Sequence, residues 1–223
     1  MANPWCTMRQ LSLADRGQSV SLDKALDDVV PTCLGVARLG SLQTAGSSFT
    51  VWMQVRGSSW VEAKEGRFRL RHGEWIAFEK ESRPLVQAGR NGLCIGLNLN
   101  VEALRVLAEM ADCGLYAGRG RMGRSDARVA LRLWRDALAS GHPAQHLRPL
   151  LLHLAGLQRG LADNVQRCPG RSRSRKRQVF GRMQRARLYL EGNSHRVVRI
   201  GELAELTNFS SWYLSKTFQS LYE

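Results

Sequence analysis

Apolar runs long enough to cross a bilayer are missing from these 223 residues. A spanning helix needs about 18 or more consecutive apolar residues, so no transmembrane segment is expected. The N-terminus, MANPWCTMRQLSLADRG, lacks a basic start followed by an apolar core, so no secretion signal is expected either. Paired cysteines are missing too. Cys6, Cys33, Cys94, Cys113 and Cys168 are odd in number and none stands in a CxxC spacing. That argues against a disulfide framework or a zinc site and fits free thiols in a reducing cytoplasm. The five histidines are scattered, with no His-x-His pair for a catalytic metal, and no G-x-S-x-G elbow for a serine nucleophile. Metal and cofactor are therefore expected to be none.

Acidic residues are scarce. Lys and Arg number 33 against 19 Asp and Glu, which leaves a net charge of +14 and a pI of ≈ 10.6. Such an excess calls for an acidic partner, nucleic acid first and an anionic membrane surface second. Hydrophobic residues make up 43% of the chain, enough for a packed core and too many for wholesale disorder.

Residues 32–99 read as short strands. The run 49–55 is rich in β-branched and aromatic residues, and Arg67-Phe68-Arg69-Leu70 alternates as a half-buried strand should. Turns at Lys64-Glu65-Gly66 and His72-Gly73-Glu74 separate the strands, so an antiparallel sandwich or small barrel is expected. From about residue 101 the periodicity becomes helical. Three helices are expected: one carrying Val101, Leu104 and Leu107, one capped at Ser125-Asp126, and one over 145–161. The apolar faces of the latter two (Leu131, Trp134, Leu138, Leu151, Leu154) must be covered, by the β half or a second subunit, and a homodimer through them is expected. Residues 167–187 hold nine Lys/Arg and no acid. Their first part, with Arg171, Arg173, Arg175, Lys176 and Arg177, reads as a flexible basic linker that neutralises phosphates without reading sequence. A solvated linker or a lipid-binding peptide is the alternative.

The last stretch is the most informative. Ile200 to Leu206 form a short helical pattern, Thr207-Asn208-Phe209 makes a corner, and Ser210 caps the next helix. Asn208 suits a left-handed corner. Ala204 is small enough for a close helix crossing, and Leu214, Phe218 and Leu221 share one stripe. Trp212, Ser215, Lys216 and Gln219 cluster opposite, where a major-groove helix presents its base contacts. The pattern reads as a helix-turn-helix, with a solvated face as the alternative.

This stretch resembles the first helix-turn-helix of the AraC (arabinose regulator) family in Leu203-Ala204, Asn208-Phe209-Ser210 and Tyr213-Leu214-Ser215-Lys216-Thr217-Phe218-Gln219. The helix 186–191 resembles the family's opening helix, and the run VWMQVRGSSWVEAKEGRFRLRHGEWIAFEK resembles its cupin-like sensing domain. The resemblance implies an α+β chain: a β-rich cupin-like sensing domain (1–100), a helical dimerisation region (101–166), a basic linker (167–177) and an all-α helix-turn-helix domain (178–223). It implies a sequence-specific transcriptional regulator, an activator, that contacts double-stranded DNA and RNA polymerase. DNA contacts are then expected from Ser210, Ser211, Trp212, Ser215, Lys216 and Gln219, with Arg173, Arg175, Lys176 and Arg177 on phosphates. Ser211 stands where the family often has proline. The family's joining helix and second unit are absent before Glu223, so an incomplete DNA-binding domain is expected.

Two other classes compete. One is a dimerising interaction module that binds DNA nonspecifically. The other is a cupin-type enzyme with a basic tail, against which the single His72 of the β region and the lone His153 on an apolar helix both argue. No effector is specified: Trp52, Trp60, Phe68 and Trp75 could wall a pocket, although core packing is the simpler assignment.

Overall fold

The computed structural model describes residues 12–22, 31–111, 114–139 and 143–222. Cys6 and Cys113, His142 and the N-terminal residues read above for a secretion signal lie outside them, wholly or in large part. Among these residues eleven strands form two sheets. Sheet A has the order β1(Ser12–Ala14)-β3(Thr32–Ala37)-β10(Leu93–Leu99)-β5(Phe49–Arg56)-β8(Glu74–Phe78)-β11(Gly118–Arg121). Sheet B has the order β2(Ser19–Ser21)-β4(Ser41–Gln43)-β9(Leu85–Ala88)-β6(Ser58–Ala63)-β7(Gly66–Arg71). The central pairings are antiparallel, as expected, but β1 and β2 add to the two edges in parallel, so both sheets are mixed. The β part also exceeds residues 1–100. Gly118–Arg121, a glycine-rich break in the sequence, pairs antiparallel with β8 and closes the edge of sheet A.

Side-chain alternation explains why sheet A is buried on both faces. Along β5, Phe49, Val51 and Met53 point to one side and Trp52 to the other, between the sheets, where it meets Phe68, Leu70 and Val86 of sheet B. β10 divides in the same way, with Ile95, Leu97 and Leu99 outward and Cys94 inward. Helices α1(Val101–Ala111), α2(Arg124–Ala139) and α3(Pro143–Leu157) cover the outward face. Trp134 of α2 reaches through to the sheet, its indole N–H donating to the Gly96 carbonyl at 3.1 Å. Gly35 lies beneath this ring: a Cβ there would meet Trp134 at an ordinary 3.5 Å but would come 2.8 Å from Leu13 Cδ1.

This packing corrects the expected dimer surface. Trp134, Leu151 and Leu154 are buried and Leu131 and Leu138 half-buried, all packed in one core with the strands of sheet A. The β half does cover these helices, because its own outward face needs the same cover. Trp52, Phe68 and Trp75 are core residues, whereas Trp60 stands on the outer face of sheet B beneath Arg67, whose guanidinium lies 4.5 Å from the ring centre. His153 is satisfied by the Asp126 carbonyl at 3.1 Å.

The basic linker is corrected as well. After α4(Arg159–Val165), the 20-residue helix α5(Arg173–Gly192) begins, with Ser172 as its cap: the Ser172 hydroxyl accepts from the Arg175 N–H at 3.2 Å. Arg173, Arg175, Lys176 and Arg177 are therefore helical. Lys176 donates to the Gln166 carbonyl (2.7 Å), and Arg175 to Gln178 (2.8 Å). The Pro169-Gly170 pair gave the look of a linker, but the arginines after it are good helix formers.

α5 is fixed to the β half at its C-terminal end. The carboxylate of Glu65, fully buried in the β6–β7 turn, accepts from Arg185 Nε and Ser82 Oγ, each at 2.8 Å, and Asn193 donates to the Glu65 carbonyl at 3.0 Å. Nearby, burial pushes the Glu79 carboxyl up, with Arg185 opposing and Glu65 adding to the shift. Gly192 allows backbone to meet backbone, for a Cβ there would sit 2.4 Å from the Glu65 carbonyl oxygen. We expect Gly192→Ala to lower stability by about 1–3 kcal/mol through overpacking. Gly201→Ala, where a Cβ meets nothing within 4 Å, should be neutral or stabilising by up to about 1 kcal/mol. Urea midpoints of the two variants check the contrast; equal midpoints would contradict the close packing of Gly192.

Candidate nucleic-acid interface

Helices α6(Ile200–Thr207) and α7(Ser211–Tyr222) stand on α5 through one apolar cluster. Val179, Phe180, Met183 and Ala186 of α5 meet Leu203 of α6 and Leu214 and Leu221 of α7. The corner between α6 and α7 is tight. Asn208 is left-handed (φ 52°, ψ 44°), and the N–H of Phe209 returns to the Ala204 carbonyl at 3.1 Å. Such a conformation is costly for most side chains and cheaper for asparagine. Ser210 then starts α7 by accepting from the Tyr213 N–H at 3.3 Å. Arg182 holds the corner from α5, its guanidinium lying 5.0 Å from the Phe209 ring centre.

The faces of α7 divide nearly as the periodicity predicted. Ser211, Trp212, Lys216 and Gln219 are exposed, and Ser210 beside them, while Ser215 is half-buried. Trp212 is 69% exposed and Lys216 Nζ rests 5.0 Å from its ring centre, so the two project together. One part of the expectation is corrected. The buried stripe is Leu214, Thr217 and Leu221, and Phe218 is only half-buried, stacked against Tyr222 with ring centres 4.6 Å apart. The 3.6-residue period places positions 214, 217 and 221 on one line; the polar type of Thr217 hid it from an apolar count.

Arg173, Arg175, Lys176 and Arg177 lie in the first two turns of α5, and its first turn holds no acid. Cations are disfavoured there by the helix dipole, and a bound phosphate would relieve that. They are a separate group from the α7 face: α5 links them to it, but they sit on a different helix from the expected base readers.

A polar cluster missed by sequence reading sets the entry into α6. Glu202 accepts from the Arg199 N–H (3.0 Å), from Arg196 (2.6 Å) and from the Tyr189 hydroxyl (3.0 Å). A glutamate three residues into a helix was the available signal, but Arg199 occupies the place where Ser or Thr would have marked it. Among the described residues no group of three or more His, Cys, Asp or Glu could hold a metal ion, and no helix is long and apolar enough to cross a membrane.

Two predictions follow from this geometry. Arg196, the Arg199 N–H and the Tyr189 hydroxyl pull the Glu202 carboxyl down to about 2. A group depressed in the folded state stabilises above its unfolded value near 4.3 and loses that effect as pH falls through its folded value. Fluorescence or amide-exchange titration should show the α6 entry loosening between about pH 5 and 2, and Glu202→Gln should abolish that acid limb. In the second, Lys216→Ala should leave the thermal melt within about 0.5 kcal/mol of the parent. Leu214→Ala, cutting into the buried stripe, should cost about 2–5 kcal/mol.

No protein-family model and no curated protein matches this sequence. Similarity to solved structures does exist. The crystal structure of unsaturated fatty acid bound ToxT from Vibrio cholerae strain SCE256 is 9% identical, with 86% of this chain and 91% of that one covered, at a TM-score of 0.39. The AraC-like transcriptional activator CuxR is 15% identical, with 78% and 61% covered, at 0.35. A Cupin 2 conserved barrel domain protein from Salinispora arenicola CNS-205 is 13% identical, with 35% and 69% covered, at 0.30.

Proposed function

We propose that this chain is a sequence-specific DNA-binding transcriptional regulator of AraC type, in which α6 and α7 form a helix-turn-helix and α7 enters the major groove. The observation that carries the reading is the outer face of α7. A tryptophan that is 69% exposed stands with Lys216, Gln219 and Ser211 on a helix whose other face is fully used in packing. Lysine can donate to guanine, glutamine can pair with adenine, and an indole can cover a thymine methyl. Solvent gives Trp212 no such use. Ser210 and Ser215 flank this face and belong to the same contact. Arg173, Arg175, Lys176 and Arg177 supply phosphate contacts from a helix start, and the net charge of +14 supports a polyanionic partner.

A single recognition helix reaches few base pairs, so the reading includes a homodimer on spaced half-sites. The apolar faces of α2 and α3 are not its interface, since sheet A occupies them. Activation through RNA polymerase and residence in the cytoplasm complete the proposal. It contains no catalytic step and no cofactor.

Selection from random duplexes followed by titration at fixed salt tests it. Lys216→Ala should cost about 1–3 kcal/mol on the selected site and relax discrimination at one base pair. Changing Arg173, Arg175, Lys176 and Arg177 together to Gln should weaken binding equally on all sequences and flatten the salt slope by up to about 3.6. If selection yields no preferred sequence, or Lys216→Ala weakens every duplex alike, the nonspecific module is the better description.

A further inference from the structure

The solvent face of α2 carries a line of arginines with no partner among the described residues. Arg124, Arg128, Arg132 and Arg135 follow one another at intervals of four, four and three residues, so they share one face over about 16 Å of helix. None makes a side-chain hydrogen bond or ion pair among the described residues, and the same holds for Arg71 and Arg121 beyond the N-terminal end of α2.

These residues line a continuous groove. A cavity of about 290 Å³ lies among Arg71, His72, Arg121 and Arg124. The next, of about 220 Å³, shares His72 and Arg124 with it and is floored by Val55, Ala127 and Leu131. The third, of about 520 Å³, shares Arg128 and Leu131 with the second and continues past Arg132 and Arg135 to Ala139. Few acids touch it. Glu74 is engaged by the Arg71 N–H at 2.8 Å, and Asp136 lies at the far end.

We propose that this groove is a docking site for an acidic amphipathic helix of a partner protein. Two features choose that occupant. The cations are all arginine, whose planar fork pairs carboxylates in two-point fashion. The floor is apolar, formed by Leu131, Val55 and Ala127 beneath the arginine rims. A helix with leucines three and four positions apart fills the floor while its flanking glutamates or aspartates meet the rims. A nucleic-acid backbone would satisfy the arginines and leave the floor uncovered. A second copy meeting this face about a two-fold axis would set arginine against arginine. The site is on a different part of the chain from α7 and does not depend on the reading of α7.

The full chain tests the proposal by fluorescence anisotropy with a labelled synthetic peptide of about 18 residues, roughly 27 Å as a helix. It carries leucine at every third and fourth position and glutamate elsewhere. Poly-glutamate of equal length and a random duplex serve as further probes. We expect saturable binding of the leucine–glutamate peptide and at least about tenfold weaker binding of poly-glutamate. The double variant Arg128→Glu, Arg132→Glu should lose at least about tenfold in peptide affinity while holding its circular dichroism melt and its affinity for the duplex. Leu131→Gln should weaken the peptide and spare poly-glutamate. No binding of the peptide by the parent chain, or equal binding of both acidic probes, overturns the proposal. A double variant that loses the duplex and keeps the peptide makes the groove a nucleic-acid contact. One that changes the oligomeric state by light scattering makes it a self-interface.

Discussion

Sheet A must be covered on both faces, and most of the architecture follows from that. Its central strands β5 and β10 present large apolar side chains to either side, so one layer of helices and one further sheet are both required. The apolar stripes of α2 and α3 are spent on this cover. Trp134 donates its indole N–H to a strand carbonyl, which fixes α2 across the sheet. What α2 offers to the outside is then mainly its polar face, a row of arginines with the half-buried Leu131 at their foot. The same packing that removes an apolar dimer surface creates a cationic groove.

The second organising element is α5, which serves two neighbours at once. One side meets the β half through Glu65, Arg185 and the Gly192 contact; the other carries the cluster on which α6 and α7 stand. A buried carboxylate is stable there only because a guanidinium and a hydroxyl reach the same oxygen. The β6–β7 turn thus touches the same helix that supports α6 and α7. One continuous helix, Arg173–Gly192, contacts both the β half and the α6–α7 pair.

Local rules made much of this legible in the sequence. Alternation and β-branched runs gave most strands of residues 32–99, and the cap at Ser210 and the left-handed corner at Asn208 followed from side-chain chemistry at single positions; the helix expected to be capped at Ser125-Asp126 instead starts at Arg124, with Asp126 Oδ2 accepting from the Gly123 N–H at 3.1 Å. The outer face of α7 followed from angle alone, because a helix fixes which residues are neighbours whatever surrounds it. The failures have a common origin. Gly118–Arg121 looks like a breaker because glycine is a poor strand former; it becomes a strand only because the edge of β8 offers hydrogen bonds. The arginine segment looks like a linker after Pro169-Gly170; it is the first part of a helix capped by Ser172, and arginine is a good helix former.

By itself the sequence determined most of the strands of residues 32–99 and most of the helices after residue 101, that the chain is α+β and strongly basic, and most of the residues of α7 that face outward. These depend on periodicity, charge and capping, which act over a few residues. Only the tertiary structure decided that β1, β2 and β11 complete the sheets, that α2 and α3 are consumed by sheet A, and that Thr217 rather than Phe218 lies on the buried line. It also decided that arginines far apart in sequence, Arg71 and Arg135 among them, share one groove. Those outcomes depend on which surface reaches which partner first. Apolar burial is non-directional, so the sequence specifies that a face must be covered without naming what covers it.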